Sequence, residues 1–181
     1  MNRSMITMLS ILMTLALSMD AQTSGSDLIS QVCEHVPRRG FCESALRSDP
    51  RSEGADTAGL TAVALGLAAA NATDTAPFIG RMLGGGGGSL GPAVEQCLSE
   101  CADQYADVVE QVEASIAAAS AGDYGGLRPW VRAAIADAES CEEGFRMEAG
   151  GGDQMMMSRR NKVFRLLCDT ALRIVELLVL A

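Results

Sequence analysis

Histidine, cysteine and paired carboxylates are the side chains from which this chain could build a catalytic site. His35 is the only histidine among 181 residues, and it lies between Cys33 and Cys42 beside Pro37. A Ser-His-Asp or Cys-His arrangement would have to use this one imidazole. Oxidation of both cysteines would leave no thiolate beside it, so we expect His35 to be an exposed turn residue.

Carboxylates and a cysteine pair offer two other kinds of site. Glu139 could pair with Glu142 or Glu143 as the two acids of a glycosidase, but all three lie on a predicted solvated helix face. Cys97 and Cys101 lie one helical turn apart, a spacing that can hold zinc. A zinc site needs two further ligands, however, and the chain has a single histidine. We therefore expect no enzyme activity, no metal and no cofactor.

The first residues are typical of a signal peptide. Arg3 lies in a short basic region, and an apolar run from Met5 to Ser18 follows, which is shorter than the roughly 20 residues that span a bilayer. We predict cleavage after Ser18 or after Ala21, so that residues 1–21 form the signal peptide. No later segment is apolar for long enough to span a membrane, so we expect the mature protein to be secreted and not membrane-bound.

Export decides how the six cysteines are interpreted. All six follow the signal peptide, and an oxidising compartment favours disulfides over metal ligation. Six cysteines allow many pairings, so their number alone does not assign them.

Charge and composition exclude one class of partner and one class of fold. With 14 basic against 23 acidic residues and a formal net charge of −9, the chain lacks the clustered lysine and arginine that bind a nucleic-acid backbone. Aromatic residues make up only 4% of the chain, which disfavours a β-sandwich or barrel. Alanine and leucine, which favour helices, dominate instead.

Apolar periodicity predicts a helical hairpin over residues 27–48, broken at Pro37, followed by four long helices. The first two long helices are predicted over 56–83 and over 92–122, the second with Pro92 in its first turn. The third is predicted from 127–129 through Trp130 towards Phe145, and the fourth from Val163 to Leu178. The five glycines Gly84–Gly88 form a flexible linker after the first. Four comparable helices with short connections predict an all-α, antiparallel up-down-up-down four-helix bundle.

Four motifs carry a resemblance to a known family. They are Cys33 and Cys42 with an eight-residue gap, the segment Leu46–Ser52, the Cys101-x3-Tyr105 pattern, and Ser140–Phe145. In this order and at these spacings the chain resembles the plant invertase and pectin methylesterase inhibitors, from Leu28 to Leu178.

The resemblance implies how the cysteines pair. Cys33 would pair with Cys42 inside the N-terminal helical hairpin, and Cys101 with Cys141 between two bundle helices. Two cysteines are additional to the family pattern and lie on predicted core faces, where they are either buried thiols or a third disulfide: Cys97 and Cys168.

The resemblance also implies a function. An inhibitor domain is expected over 27–180, and members of the family are not enzymes. They bind a carbohydrate-active enzyme of the plant cell wall, one to one, and block its substrate cleft. The expected location is extracellular, in the cell wall, with the vacuole as an alternative.

The resemblance leaves two candidate target enzymes, invertase and pectin methylesterase. Invertase inhibitors of the family typically carry Pro-Lys-Phe after a Gly-Asp pair, whereas here Gly122 and Asp123 are followed by Tyr124, Gly125 and Gly126. We take Asp123, Tyr124, Gly125 and Gly126 as candidate target contacts. Pectin methylesterase inhibitors bind mainly through polar faces of the second and third bundle helices.

Two further features allow other predictions. Asn71-Ala72-Thr73 is a glycosylation sequon, so Asn71 is a candidate glycosylation site in a secreted chain. The methionines Met155–Met157 suggest an alternative function, in which a helical protein held together by disulfides binds lipid or another apolar ligand.

Overall fold

The computed structural model describes residues 28–85, 91–148 and 152–180. Within these ranges the chain is helical and contains no strand, which confirms the all-α prediction. After α1 (residues 28–34) come α2 (Arg39–Arg47), a 3₁₀ turn (Pro50–Ser52), α3 (Thr57–Leu83), α4 (Pro92–Ser120), α5 (Tyr124–Glu148) and α6 (Gly152–Leu180). The predicted signal peptide and most of the glycine linker lie outside the described residues.

Local sequence explains where the long helices begin. The Asp56 carboxylate accepts a hydrogen bond from the Gly59 amide (2.7 Å) at the start of α3. Pro92 occupies the first turn of α4, where its missing N–H needs no partner. None of the described helices has the length and apolar character of a membrane span.

Helix α5 begins earlier than the sequence predicts, at Tyr124 instead of near Leu127. Asp123 caps the helix from outside, so Pro129 lies inside α5 and not in its first turn. The proline ring removes only the hydrogen bond to the carbonyl of Gly125. Because Gly125 is exposed, water can satisfy that carbonyl.

The four long helices alternate in direction around the bundle. In each neighbouring pair, residues early in one helix lie beside residues late in the other. The pairs are Cys101–Cys141 and Gln111–Asp137 for α4 and α5, Asn161–Glu142 and Arg128–Glu176 for α5 and α6, and Arg160–Phe78 and Leu177–Thr57 for α3 and α6. Helix α3 is therefore also antiparallel to α4.

The core is built from one apolar stripe of each long helix. Its largest buried side chains are Tyr105 of α4, Phe145 of α5 and Phe164 of α6. The rings of Tyr105 and Phe164 pack edge to face with centroids 6.4 Å apart. Burial of one large apolar side chain contributes about 1.5–3 kcal/mol, so these aromatic residues and the buried leucine, valine and isoleucine side chains supply much of the core energy.

The N-terminal hairpin of α1 and α2 packs where α3 begins and α6 ends. A disulfide joins Cys33 to Cys42, and Leu46 is buried against the core. Next to it, the Asp49 carboxylate accepts hydrogen bonds from the Arg51 amide (2.9 Å) and guanidinium (2.6 Å). These bonds lower the pKa of Asp49 to about 2. The Leu46–Ser52 motif therefore fixes the turn that leads from the hairpin into the bundle.

Candidate target-binding surface

A disulfide joins helices α4 and α5 far from their connecting turn. It links Cys101 to Cys141, and both residues are buried. One helical turn before it, the buried Cys97 thiol donates to the carbonyl of Gly144 in α5 (3.4 Å). Because Cys101 is already bonded to Cys141, it cannot join Cys97 as a zinc ligand. The two helices therefore present their outer sides as one rigid unit.

Beside this disulfide, a buried polar network connects α4, α5 and α6. The Tyr105 hydroxyl donates to Asn161 Oδ1 (2.7 Å), and Asn161 Nδ2 donates to Glu142 Oε2 (2.9 Å). The Ser158 hydroxyl donates to Glu142 Oε1. Burial raises the pKa of Tyr105, so its hydroxyl remains a neutral donor. Both carboxylate oxygens of Glu142 thus have a donor, and the network fixes how α5 and α6 pack.

The acidic side chains that the sequence offers as catalytic groups are engaged with other side chains, and the histidine lies elsewhere. Glu143 pairs with Arg146 on the surface, and Glu139 pairs with Arg165 across to α6 (3.3 Å). His35 is exposed next to the disulfide-bonded Cys33. Within the described ranges, no three His, Cys, Asp or Glu side chains are grouped as a metal site requires.

Cys97 and Cys168 are buried thiols in the structure. Burial raises the pKa of Cys168, so this thiol carries little of the reactive thiolate. The structure does not join Cys97 to Cys168 in a third disulfide. Their redox state in the exported protein stays a prediction.

The turn between α4 and α5 is tight. Gly122 ends α4 with a φ of 73°. The Gly122 amide donates a hydrogen bond to the Ala119 carbonyl (3.0 Å), and the Asp123 amide donates one to the Ala118 carbonyl (2.9 Å). This is the Schellman pattern, in which the first residue after the helix takes the left-handed conformation that glycine adopts without strain.

Asp123, Tyr124, Gly125 and Gly126, the predicted target contacts, follow this turn directly. The exposed Asp123 carboxylate accepts a hydrogen bond from the Gly126 amide (2.7 Å) and so caps α5. A side chain at position 126 would collide with that carboxylate. Tyr124 is half-buried and packs against the core. The four residues form the cap and compact first turn of a helix, and their contact with a target stays a prediction.

Replacing Gly122 by alanine is expected to lower the free energy of unfolding by about 1–2 kcal/mol, because a Cβ at positive φ is strained. Gly80 is a matched control, since it is an exposed glycine of α3 without positive φ and with open space around its Cα. Gly80→Ala should raise stability by about 0.5–1 kcal/mol. Urea unfolding followed by circular dichroism measures both variants. Stabilisation by Gly122→Ala would contradict the assigned turn.

The outward side of α4 carries a row of carboxylates, which we call the acidic stripe: Glu100, Asp103, Asp107 and Glu110. Their spacing of three and four residues places them on one side of the helix, and all four are exposed. Helix α4 has no lysine or arginine. Among the described residues, none of the four forms an ion pair. Like charges at this spacing weaken a helix by roughly 0.2–0.5 kcal/mol per pair, so helix stability does not explain the stripe.

Helix α5 exposes the only tryptophan of the chain, Trp130, with 48% of its surface accessible. Trp130 lies seven residues, or about two turns, before Asp137, whose carboxylate accepts a hydrogen bond from Gln111 of α4 (2.7 Å). It therefore lies on the side of α5 that faces α4, close to the tight turn.

Trp130 lies within α5, as the sequence predicts, but outside its buried positions. The buried positions of this part of the helix are Leu127, Val131 and Ala134. Trp130 precedes Val131 by one residue, so it lies at the edge of the buried side of α5 and is half-exposed.

An open groove of about 490 Å³ lies between α5 and α6. Charged and polar side chains line most of it: Glu139, Glu142, Ser158, Arg159, Lys162 and Arg165. Such side chains offer charged and polar atoms to a ligand together with the aliphatic stems of arginine and lysine.

Asn71, the candidate glycosylation site, lies within α3. It is half-buried, and its Oδ1 atom is enclosed by the protein. Thr73 of the sequon is exposed. Glycosylation of Asn71 stays a prediction.

A family model described as plant invertase/pectin methylesterase inhibitor matches residues 27–174. The chain belongs to this family. Plant invertase/pectin methylesterase inhibitors are not enzymes, and the family assignment makes the chain an enzyme inhibitor.

Individual relatives carry names of both kinds of inhibitor. The chain is 30% identical to a "Putative invertase inhibitor" of Platanus orientalis, over 84% of this chain and 91% of the relative. It is 29% identical to the cell wall / vacuolar inhibitor of fructosidase 2 of Arabidopsis thaliana, over 99% of both chains. A pectinesterase inhibitor of Actinidia deliciosa is 28% identical, over 83% of this chain and 79% of the relative.

A solved structure supports the fold. The crystal structure of a mutant form of a pectin methylesterase inhibitor from Arabidopsis superposes with a TM-score of 0.71 at 22% identity. The match covers 82% of this chain and 95% of the other. The helical architecture is therefore that of a solved inhibitor.

Proposed function

We propose that the mature protein is secreted to the cell wall and inhibits a pectin methylesterase in a one-to-one complex. The outer side of α4 and α5 would cover the substrate cleft of the enzyme. The observation that carries this proposal is the acidic stripe of α4, whose four exposed carboxylates have no ion-pair partner among the described residues. Such carboxylates are available to cations of a target enzyme.

Two further features suit this surface to docking. The Cys101–Cys141 disulfide holds α4 and α5 together, and a rigid surface loses little conformational entropy when it binds. Trp130 is exposed on the side of α5 that faces α4, near the tight turn, and tryptophan is enriched among the residues that dominate binding energy. The compact α4–α5 turn offers no projecting loop, so a broad helical surface is what this end of the molecule can present.

Invertase is the second candidate target. It is favoured by relatives named as inhibitors of invertase and of fructosidase. The Pro-Lys-Phe motif that the family resemblance associates with invertase is replaced here by residues that form the first turn of α5.

The alternative of an apolar ligand has less support. Most of the residues that line the groove between α5 and α6 are charged or polar, and Met157 is fully buried in the core. The side chains of Met155 and Met156 lie outside the described part of the protein.

Titration of the mature protein against a pectin methylesterase and, separately, against an invertase tests the proposal. We expect esterase activity to fall linearly to a break at one inhibitor per enzyme, with invertase unaffected. Inhibition of invertase alone would replace the first candidate by the second. No loss of either activity at micromolar protein would contradict both.

Replacing Trp130 by alanine is expected to weaken inhibition of the esterase by about 10- to 30-fold, because an exposed aromatic side chain on the α4-facing side of α5 would be lost from the contact. Val179→Ala is the matched control, since Val179 is an exposed apolar residue of α6 (57% accessible). Steady-state inhibition constants compare the two variants. An equal change in both, or none in Trp130→Ala, would show that Trp130 is not part of the binding surface.

A further inference from the structure

We propose that the groove between α5 and α6 is a second binding site, separate from the acidic stripe, for an oligosaccharide that carries carboxylates. The choice of sugar rests on the proposed function, because a pectin methylesterase converts methyl esters of its polymer substrate into carboxylates. The evidence for an anionic ligand comes from the groove itself.

Basic residues are concentrated at this groove. Four of the 14 basic residues of the chain fall within seven consecutive positions of α6, although the chain as a whole has a net charge of −9. They are Arg159, Arg160, Lys162 and Arg165. Arg160 stacks on Phe78 of α3, with 4.1 Å between the guanidinium carbon and the ring centroid, and the other three line the groove.

The cations of the groove are available to a ligand. Arg159 and Lys162 are exposed, and neither forms an ion pair with any described residue. Arg165 pairs with Glu139 at 3.3 Å, but both side chains are about half-exposed. An exposed pair of this kind contributes little, so Arg165 can exchange Glu139 for a ligand carboxylate.

The floor of the groove is polar and already ordered. Both carboxylate oxygens of Glu142 accept hydrogen bonds, one from Ser158 and one from Asn161. Asn161 is itself buried and held by Tyr105. The carboxylate of Glu142 is therefore engaged within the protein, and these bonds hold the shape of the groove without a ligand.

The spacing of the cations suits a chain of acidic sugars. Arg159, Lys162 and Arg165 are three residues apart, which corresponds to a rise of about 4.5 Å between neighbours along α6. Three cations within about 9 Å along one helix can contact more than one carboxylate of the same ligand. Arginine binds a carboxylate through two parallel hydrogen bonds, and a methyl ester has no charge to offer. The groove would therefore distinguish the acid from the ester.

Calorimetric titration of the mature protein with a short oligogalacturonate tests the site. The same oligomer in fully methyl-esterified form and inorganic phosphate serve as comparison ligands. We expect the acidic oligomer to bind with an affinity that falls as salt is added, and the ester to bind at least about tenfold more weakly. Absence of binding, equal affinity for the ester, or full displacement by equimolar phosphate would overturn the proposal.

Paired variants show whether the groove is responsible. Arg159→Gln/Lys162→Gln should weaken binding by about tenfold or more. Arg38→Gln/Arg81→Gln removes two exposed cations outside the groove and should leave the affinity within about twofold. Equal losses in both double variants would mean a general charge effect and would contradict the site.

The same proteins separate this proposal from the proposed function. The groove variant should inhibit pectin methylesterase as well as the wild type does, because the acidic stripe is unchanged. If the wild type inhibits the esterase but does not bind the oligosaccharide, only the proposal that the groove is a binding site is contradicted. Oligosaccharide binding without inhibition would overturn the proposed target and leave the anionic site in place.

Discussion

Replacing both Cys101 and Cys141 by alanine is expected to lower the free energy of unfolding by about 4 kcal/mol. The disulfide joins residues separated by 40 positions in the sequence, and its loss frees that loop in the unfolded chain. Guanidinium unfolding measures the change, and the thermal midpoint should fall by roughly 10 °C. Because the same bond holds α4 against α5, inhibition should weaken even at temperatures where the variant is still folded.

The disulfide of the hairpin provides the control. Cys33 and Cys42 are separated by 9 positions, so replacing both by alanine should lower stability by about 2.7 kcal/mol in the same entropy model. This change leaves the α4–α5 pair intact and should affect inhibition less. A larger loss of inhibition from the hairpin variant would contradict the assignment of the binding surface to α4 and α5.

Replacing Asn161 by leucine is expected to lower stability by about 3 kcal/mol. The substitution leaves the buried Tyr105 hydroxyl without its acceptor, at roughly 1–3 kcal/mol, and removes a donor from the Glu142 carboxylate, at roughly 1.5–3 kcal/mol. Urea unfolding of the single variant measures the total.

A double-mutant cycle separates the two contributions. Tyr105→Phe alone leaves Asn161 Oδ1 without its donor and should lower stability by about 1–2 kcal/mol. In the double variant the hydroxyl and its acceptor are both absent, so the combined loss should be smaller than the sum by about 1 kcal/mol. Additive losses would show that the Tyr105–Asn161 hydrogen bond contributes nothing to the fold.

Much of the fold could be predicted because its signals are local. Asp56 and Pro92 mark helix starts, Gly122 marks a helix end, and apolar stripes show which sides are buried. The start of α5 was missed because Tyr124, Gly125 and Gly126 have low helix propensity and Pro129 resembles a first-turn residue. The Asp123 cap outweighs those local preferences.

The candidate surface was only partly predictable. Its carboxylates are visible in the sequence as a solvated helix face, but their lack of ion-pair partners depends on which helices lie nearby. The Tyr105–Asn161 bond joins residues 56 positions apart, and the α5–α6 groove exists only once those helices pack. Trp130 lies one position from a buried stripe, a difference that periodicity does not resolve.

Carboxyl labelling of the protein, alone and in an equimolar complex with pectin methylesterase, tests the central claim most directly. Mass spectrometry would report the labelling rate at each carboxylate of the acidic stripe. Asp74 of α3 and Glu53 before it are exposed controls away from α4 and α5. We expect Glu100, Asp103, Asp107 and Glu110 to be protected in the complex, with Asp74 and Glu53 unchanged. Unchanged labelling of the stripe while the enzyme is fully inhibited would contradict the account.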